Sequence, residues 1–462
     1  MTPRFNHSSW CLVTGLGLLL LSQPSLANEA TTTAPKQNTL HRISLADAID
    51  LAFAHNPDLA AASARIGQAE ARVAEVAAGF YPQLTARAGY DYTSNPALAF
   101  SYIVAQRRFN ANMADFNNQI NNPGWVSNFR PELIGTINLY RGGQDNYLQK
   151  AAELGVKATE LEHSALRNRL ASAVTSAYYA VLSAPKQEQV AQRSVRTVEK
   201  EVELTRARME EGAALRGDVL SLEVRSRAAR ESELQAKNNI NLSRSALKTL
   251  IGEAKSELPE LRETELPIPI MKDNLLALFD QAFSQRPEMQ AAEHQVQIRQ
   301  HELDAANGAI MPRVNAYAAY GANSQTPNPS GYKDNASIGI NAEMDLFAGG
   351  AINARISGAE RRRVEAEAVQ EKTRLEIENE VRQAHSTLEQ ALERVKVAEA
   401  GVSSAEEALR LVNEQYHGGT ATVSRYLEAE TDRASANLRS IVARFEAQVA
   451  EAQLMQAVGH WR

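Results

Sequence analysis

A 462-residue chain with one cysteine, Cys11, can form no internal disulfide and no zinc–thiolate cluster. Even that thiol is expected to leave with a secretory leader. "MTPRFNHSSW" carries Arg4 and no acid, "CLVTGLGLLLLS" is apolar, and "SLA" (Ser25 to Ala27) is a small-x-small cleavage site, placing the cut after Ala27. Cys11 also lies ahead of where a lipid-attachment cysteine would sit. Beyond the leader there is no apolar run of 18 residues, so no transmembrane helix is expected. Basic blocks are missing as well. Without Arg4, 48 basic residues face 55 acids, a formal charge of −7, which argues against a nucleic-acid partner.

What the sequence does have is internal repetition. Residues 44–66, "SLADAIDLAFAHNPDLAAASARI", resemble 275–296, "LLALFDQAFSQRPEMQAAEHQV". In each, a proline followed by an acid (Pro57, Pro287) suits the first turn of a new helix. "GFYPQLTARAGYDY" then aligns with "AIMPRVNAYAAYGA" at Pro82 and Pro312, an offset of 230 at both proline pairs. From "LYRGG" (139–143) and "LFAGG" (346–350) onward the offset is 207, holding through Gly212 and Gly419, Leu220 and Leu427, and "LIGE" and "AVGH". The 23-residue difference falls in "NPALAFSYIVAQRRFNANMADFNNQINNPGW". The expected organisation is a leader (1–27), a first repeat (28–257), a proline-rich linker (258–270) and a second repeat (271–462).

Two periodicities alternate in each copy. Leu84, Ala86, Ala88, Tyr90 and Tyr92 share one face of a strand, with Thr85, Arg87, Gly89 and Asp91 on the other. Residues 337–346 alternate in the same way, and strands at 132–141 and 313–322 complete two hairpins. Strands of about ten residues with interfacial aromatics (Tyr90, Tyr92, Tyr140, Tyr317, Tyr320, Phe347) suit a membrane β-barrel. From the pattern alone, a soluble four-stranded sheet packed on helices shares these features.

After each glycine pair the period becomes helical. Val381, His385, Leu388, Leu392, Val395, Val402, Leu409 and Tyr416 mark a coiled-coil seam. Each rod, from Gly143 to Gly212 and from Gly350 to Gly419, runs 69 residues, about 100 Å of helix. Gly142, Gly143, Gly349 and Gly350 are the expected strand-to-helix junctions. Pro185 is expected to kink or restart the first rod. "MEEGAALRGDVLSLEV" and "YHGGTATVSRYLEAET" read as the hairpin tips at the far ends. Four strands cannot close a barrel, and an open edge in lipid leaves its amides without partners, so membranous strands require several chains.

Repeated "LxxAxxxAxxxxP[DE]" openings, "L[FY]xGG" junctions, tips continuing as "DVL" or "RYL", and "GE"/"GH" endings resemble the TolC-type outer-membrane efflux family over nearly the whole mature chain. The resemblance implies a homotrimer, with a twelve-stranded barrel in outer-membrane lipid continuous with a periplasmic α-barrel. It further implies a Gram-negative source, docking to a periplasmic adaptor and inner-membrane pump, no cofactor and no catalytic activity. Drugs, metal ions or proteins are the family's cargo classes.

Carried over by position, the second tip holds the gate. Glu428 matches one ring of carboxylates, Arg425 occupies the position of the other, and Tyr416 matches a tyrosine that tethers the closed gate. Arg425 puts a purely acidic, cation-selective entrance in doubt, and it could instead pair with Glu428 between chains. Gly212, Asp218, Leu220, Gly419 and Leu427 fall at the adaptor-docking tips. An enzyme reading finds little support: "HELDA" (301–305) is not HExxH, and His294 and His301 are a heptad apart. A periplasmic coiled-coil adaptor would explain the helical hairpins but not the alternating strands before each one.

Overall fold

The computed structural model describes residues 42–110, 120–253, 258–263, 265–271, 274–328 and 332–461. The leader with Cys11, part of the inserted segment (111–119) and parts of the linker lie outside the described residues.

The chain opens with α1 (Leu45–His55), capped by Ser44 and Asp47 in a reciprocal capping box, and α2 (Pro57–Ala77). As expected, α2 starts at Pro57, where the fixed φ suits a first turn and the missing N–H removes no helical bond. Strand β1 (Gln83–Thr93), helix α3 (Pro96–Ala105) and strand β2 (Val126–Arg141) follow. Next come two long antiparallel helices, α4 (Gln144–Glu210) and α5 (Arg216–Ile251). A similar series continues as α6 (Leu275–Gln285), α7 (Pro287–Asn307), β3 (Arg313–Asn323), β4 (Lys333–Glu343), α8 (Ala351–His417) and α9 (Val423–Ala457). The helices α4 and α8 are each 67 residues, about 100 Å long. No described helix is long and apolar enough to cross a membrane.

The four strands form one antiparallel sheet in the order β1-β2-β3-β4. Its register sorts the side chains by face. Leu84, Leu133, Tyr320, Ala318, Ile338 and Ile340 fall on one face, while Arg87, Glu132, Asn128, Asn335, Ser337 and Asn341 fall on the other. Ile338 is 86% exposed, and the described residues leave the apolar face uncovered. Two of the aromatic assignments change. Tyr317 sits opposite Gly339 on the polar face, its ring lying where a Cβ on that glycine would be, and Phe347 lies beyond the strand.

Strand limits also differ from expectation. β2 begins six residues earlier, at Val126, because it has a partner in β1 as far as Thr93. β4 covers Lys333–Glu343 rather than 337–346, since β3 begins only at Arg313, just after Pro312, and leaves Met344 and Leu346 without a partner in β3. The second glycine pair therefore begins six residues past the end of the strand, whereas the first follows β2 directly.

All four junction glycines adopt positive φ. At Gly142 space demands glycine as well as φ, because an added Cβ would lie 2.1 Å from the Gly308 carbonyl oxygen. Helix α4 runs through Pro185 without restarting. The lost bond to residue 181 is tolerated where Val181, Leu182 and Ala184 are buried against neighbouring elements.

The helical seam follows a strict three-four spacing. Ile377, Val381, Ala384, Leu388, Ala391 and Val395 are buried, and Val402, Leu409, Val412 and Tyr416 continue the stripe towards the tip. Its second row is alanine, a residue the sequence reading passed over, while His385 and Leu392 are only half-buried flankers. The alanines bring α9 close, and Ala443, Ala447 and Ala450 face them. A separate core forms where α1, α4, α5 and the linker meet around Tyr178, whose hydroxyl donates to the Ile43 carbonyl at 3.0 Å.

Candidate functional site: the helical tips

The two hairpin tips lie side by side in one chain. Each closes through a left-handed glycine, Gly212 (φ 77°) and Gly419 (φ 78°). Their amides donate to Met209 O and Tyr416 O at 3.0 and 3.1 Å. α5 then restarts with the Asp218 carboxylate accepting from the Leu215 N–H at 3.3 Å, and α9 with the Thr422 hydroxyl accepting from the Arg425 N–H at 3.3 Å. Asp218 is thus a helix cap, a sufficient structural reason for an acid at that position.

The tips are joined chiefly by Tyr416. Its hydroxyl lies 3.2 Å from Thr205 Oγ1 on α4, and its ring stacks on Tyr426 at 5.3 Å. The Arg208 guanidinium stands 5.9 Å from the same ring, and an Arg208 nitrogen approaches His417 Nδ1 at 3.0 Å. Val202, Leu222, Val423 and the half-buried Leu427 fill the space behind. Burial, the largest effect, pushes the Tyr416 and Tyr426 hydroxyls above their ordinary pKa, and the nearby Glu201 raises both further.

Arg425 and Glu428 are exposed, 61% and 64% by side chain, and meet at 3.3 Å one turn apart on α9. Within the chain this pair is made along one helix. The two tip leucines also differ: Leu220 is 51% exposed, whereas Leu427 packs inward. Gly212 and Gly419 are exposed at the extreme ends.

Behind this surface lies a cluster the sequence reading missed. Glu430 and Arg433 are 0% and 4% exposed and form a bidentate pair at 2.6 and 2.9 Å. Glu201 (4% exposed) and Thr205 (1%) on α4 are buried nearby. The hydrogen bonds Arg433 donates to Glu430 are the first cause of its raised pKa. One signal was available: stepping the alanine seam of α9 back through Ala443 and Ala436 in three-four spacing lands on Arg433, a charge at a core position.

Among the described residues there is no cluster of acids, histidines and cysteines suited to a metal ion. The tips bring together an exposed ion pair, a tyrosine that bridges the two hairpins and a buried ion pair.

The profile of the family described as "Outer membrane efflux protein" matches residues 48–253 and 278–460. The outer membrane protein TolC of Vibrio cholerae is 24% identical over 313 residues, 67% of this chain and 72% of that protein. The outer membrane protein OprJ of Pseudomonas aeruginosa is 26% identical over 324 residues, 69% of this chain and 67% of its own. The crystal structure of a membrane protein from Pseudomonas aeruginosa superposes with a TM-score of 0.75 at 23% identity, covering 90% of this chain and 93% of that one.

Proposed function

Because this chain belongs to the outer membrane efflux protein family, outer-membrane channels of tripartite efflux and secretion systems, we propose that three copies join edge to edge into one conduit. The observation that carries the proposal is the sheet. It has one apolar face, one polar face and, among the described residues, no ladder partner for the outer edges of β1 and β4. Pairing β4 of one copy with β1 of the next satisfies both edges, and three copies give twelve strands. The apolar face then meets lipid and the polar face lines water.

In this reading the equal lengths of α4 and α8 reflect two structural repeats, one before and one after the linker. The long helices carry the conduit across the periplasm to an adaptor and an inner-membrane pump. The tips close it, with Tyr416 as the tether and Glu428 and Arg425 around the entrance. Gly212, Gly419, Asp218, Leu220 and Leu427 sit where the adaptor docks. Arg425 offsets Glu428, so the entrance is less cation-selective than a purely acidic one. The pump, and not this duct, selects among drugs, metal ions and proteins.

Purified mature protein in a planar bilayer tests this. Discrete, stable conductance steps are expected, with Arg425→Asp moving the reversal potential towards cation selectivity. Absence of steps from an assembled, bilayer-inserted protein would reject the conduit.

A further inference from the structure

The connection from β1 to β2 spans residues 94–125, 32 residues, against nine (324–332) between β3 and β4. Its described part contains α3, started by Asn95, whose side chain accepts from the N–H groups of Ala97 and Leu98. The helix lies across the sheet. It leaves the end of β1, and just beyond its last turn Arg107 donates to the Asp334 carbonyl on β4 at 3.0 Å. Ten helical residues span about 15 Å. Three strand spacings span about 14 Å. The helix is therefore the length of the sheet's width.

Its contacts place it on the polar face. The Tyr102 hydroxyl reaches the Asp91 carboxylate. Gln106, 2% exposed, donates to Asn128 Oδ1 at 3.0 Å and to the Ser127 carbonyl at 2.8 Å, and Asn128 donates to Asn323 Oδ1 at 2.9 Å. Asp91, Asn128 and Asn323 all belong to the polar side of the register and lie at the end of the sheet away from the long helices. Ala99, Tyr102 and Gln106 form the stripe turned to the sheet, while Leu98 (50% exposed), Ser101 and Val104 (46% exposed) face away from it.

We propose that the free face of α3 packs against the same helix of the two other copies, forming a second constriction at the outer mouth of the channel. This rests on the trimeric reading above. A twelve-stranded barrel with ordinary strand spacing and tilt is about 24 Å across. A helix about 10 Å thick lying flat on that wall reaches inward over most of the barrel's radius of about 12 Å. Three copies of α3 on the inner wall therefore nearly close the mouth, and Leu98 and Val104 are the side chains that meet at the axis.

The test places cysteine at the meeting point in full-length chain carrying Cys11→Ser. Leu98→Cys and Val104→Cys channels in outer membranes should each link to covalent dimers, at most one per trimer, with a short bis-maleimide. Ser337→Cys, on the polar wall, should not, since its copies would stand about 20 Å apart. Adding Gln106→Ala should lower the linked fraction of Val104→Cys roughly threefold or more by freeing the helix. Unlinked Leu98→Cys and Val104→Cys in protein that conducts in bilayers would overturn the outer constriction and leave the channel standing. Unlinked protein that does not conduct would remove both.

Discussion

Replacing Arg433 with alanine is the most informative perturbation of the tip. It leaves the Glu430 carboxylate, 0% exposed, without its bidentate partner. Breaking a buried pair from one side typically costs about 3–5 kcal/mol, because the remaining charge stays desolvated. At about 1.4 kcal/mol per decade, that is roughly two to nearly four decades in the opening equilibrium of the segment it holds. Arg425→Ala, eight residues earlier, breaks an exposed pair of similar chemistry and should cost no more than about 1 kcal/mol. Hydrogen exchange of the backbone amides from 423 to 437 reads both directly. Arg433→Ala should speed exchange by at least about a hundredfold, Arg425→Ala by less than about fivefold. The double change Glu430→Leu with Arg433→Leu should return most of the protection, since removing both charges relieves the desolvation. Equal effects from the two arginine variants would refute the reasoning, and so would a double variant as fast as Arg433→Ala.

Three further outcomes are expected. Gly142→Ala puts a methyl group 2.1 Å from Gly308 O at positive φ, whereas Gly349→Ala meets nothing within 4 Å and pays only the φ strain of about 1 kcal/mol. The temperature at which the assembled oligomer dissociates on a gel should fall clearly further for the first. Ile338→Lys on the apolar face should cost about 2–4 kcal/mol in lipid and reduce outer-membrane insertion, while Ser337→Lys on the polar face should insert normally, as membrane fractionation will show. The third concerns Glu288. Burial raises its pKa, but hydrogen bonds and charge from Arg286 outweigh that and hold it below 4.5. Its stabilisation is therefore present above pH 4.5 and lost as pH falls through the depressed value. In Arg286→Leu burial is opposed by the backbone hydrogen bond and the Arg169 charge without the arginine's larger pull, so the loss of stability at mild acid should shrink relative to the parent.

The architecture was readable because periodicity is a local property. A strand that separates apolar from polar residues must alternate, and a 67-residue helix that packs along one side must carry a three-four stripe. Proline and glycine reported the corners for the same reason: Pro57 and Pro287 start helices, and the glycine pairs turn the chain at positive φ. Tyr416 was found through the tip motif, and its partner Thr205, 211 residues away, could not be.

Other features depend on which segments meet in space, which no local period records. β4 ends at Glu343 because its partner β3 begins at Arg313, a matter of pairing rather than of the alternation that runs on to Leu346. Arg433 and Glu430 look like surface charges until α4 and α9 are brought together and remove them from water. Helix α3, which lies in the segment that carries the length difference between the repeats, acquires a direction only when Gln106 finds Asn128 and Arg107 finds Asp334 on the far side of the sheet. Chain-local dihedral and burial preferences were enough to write the elements. Register, buried charge and the placement of α3 follow from hydrogen bonds and desolvation between residues distant in the chain.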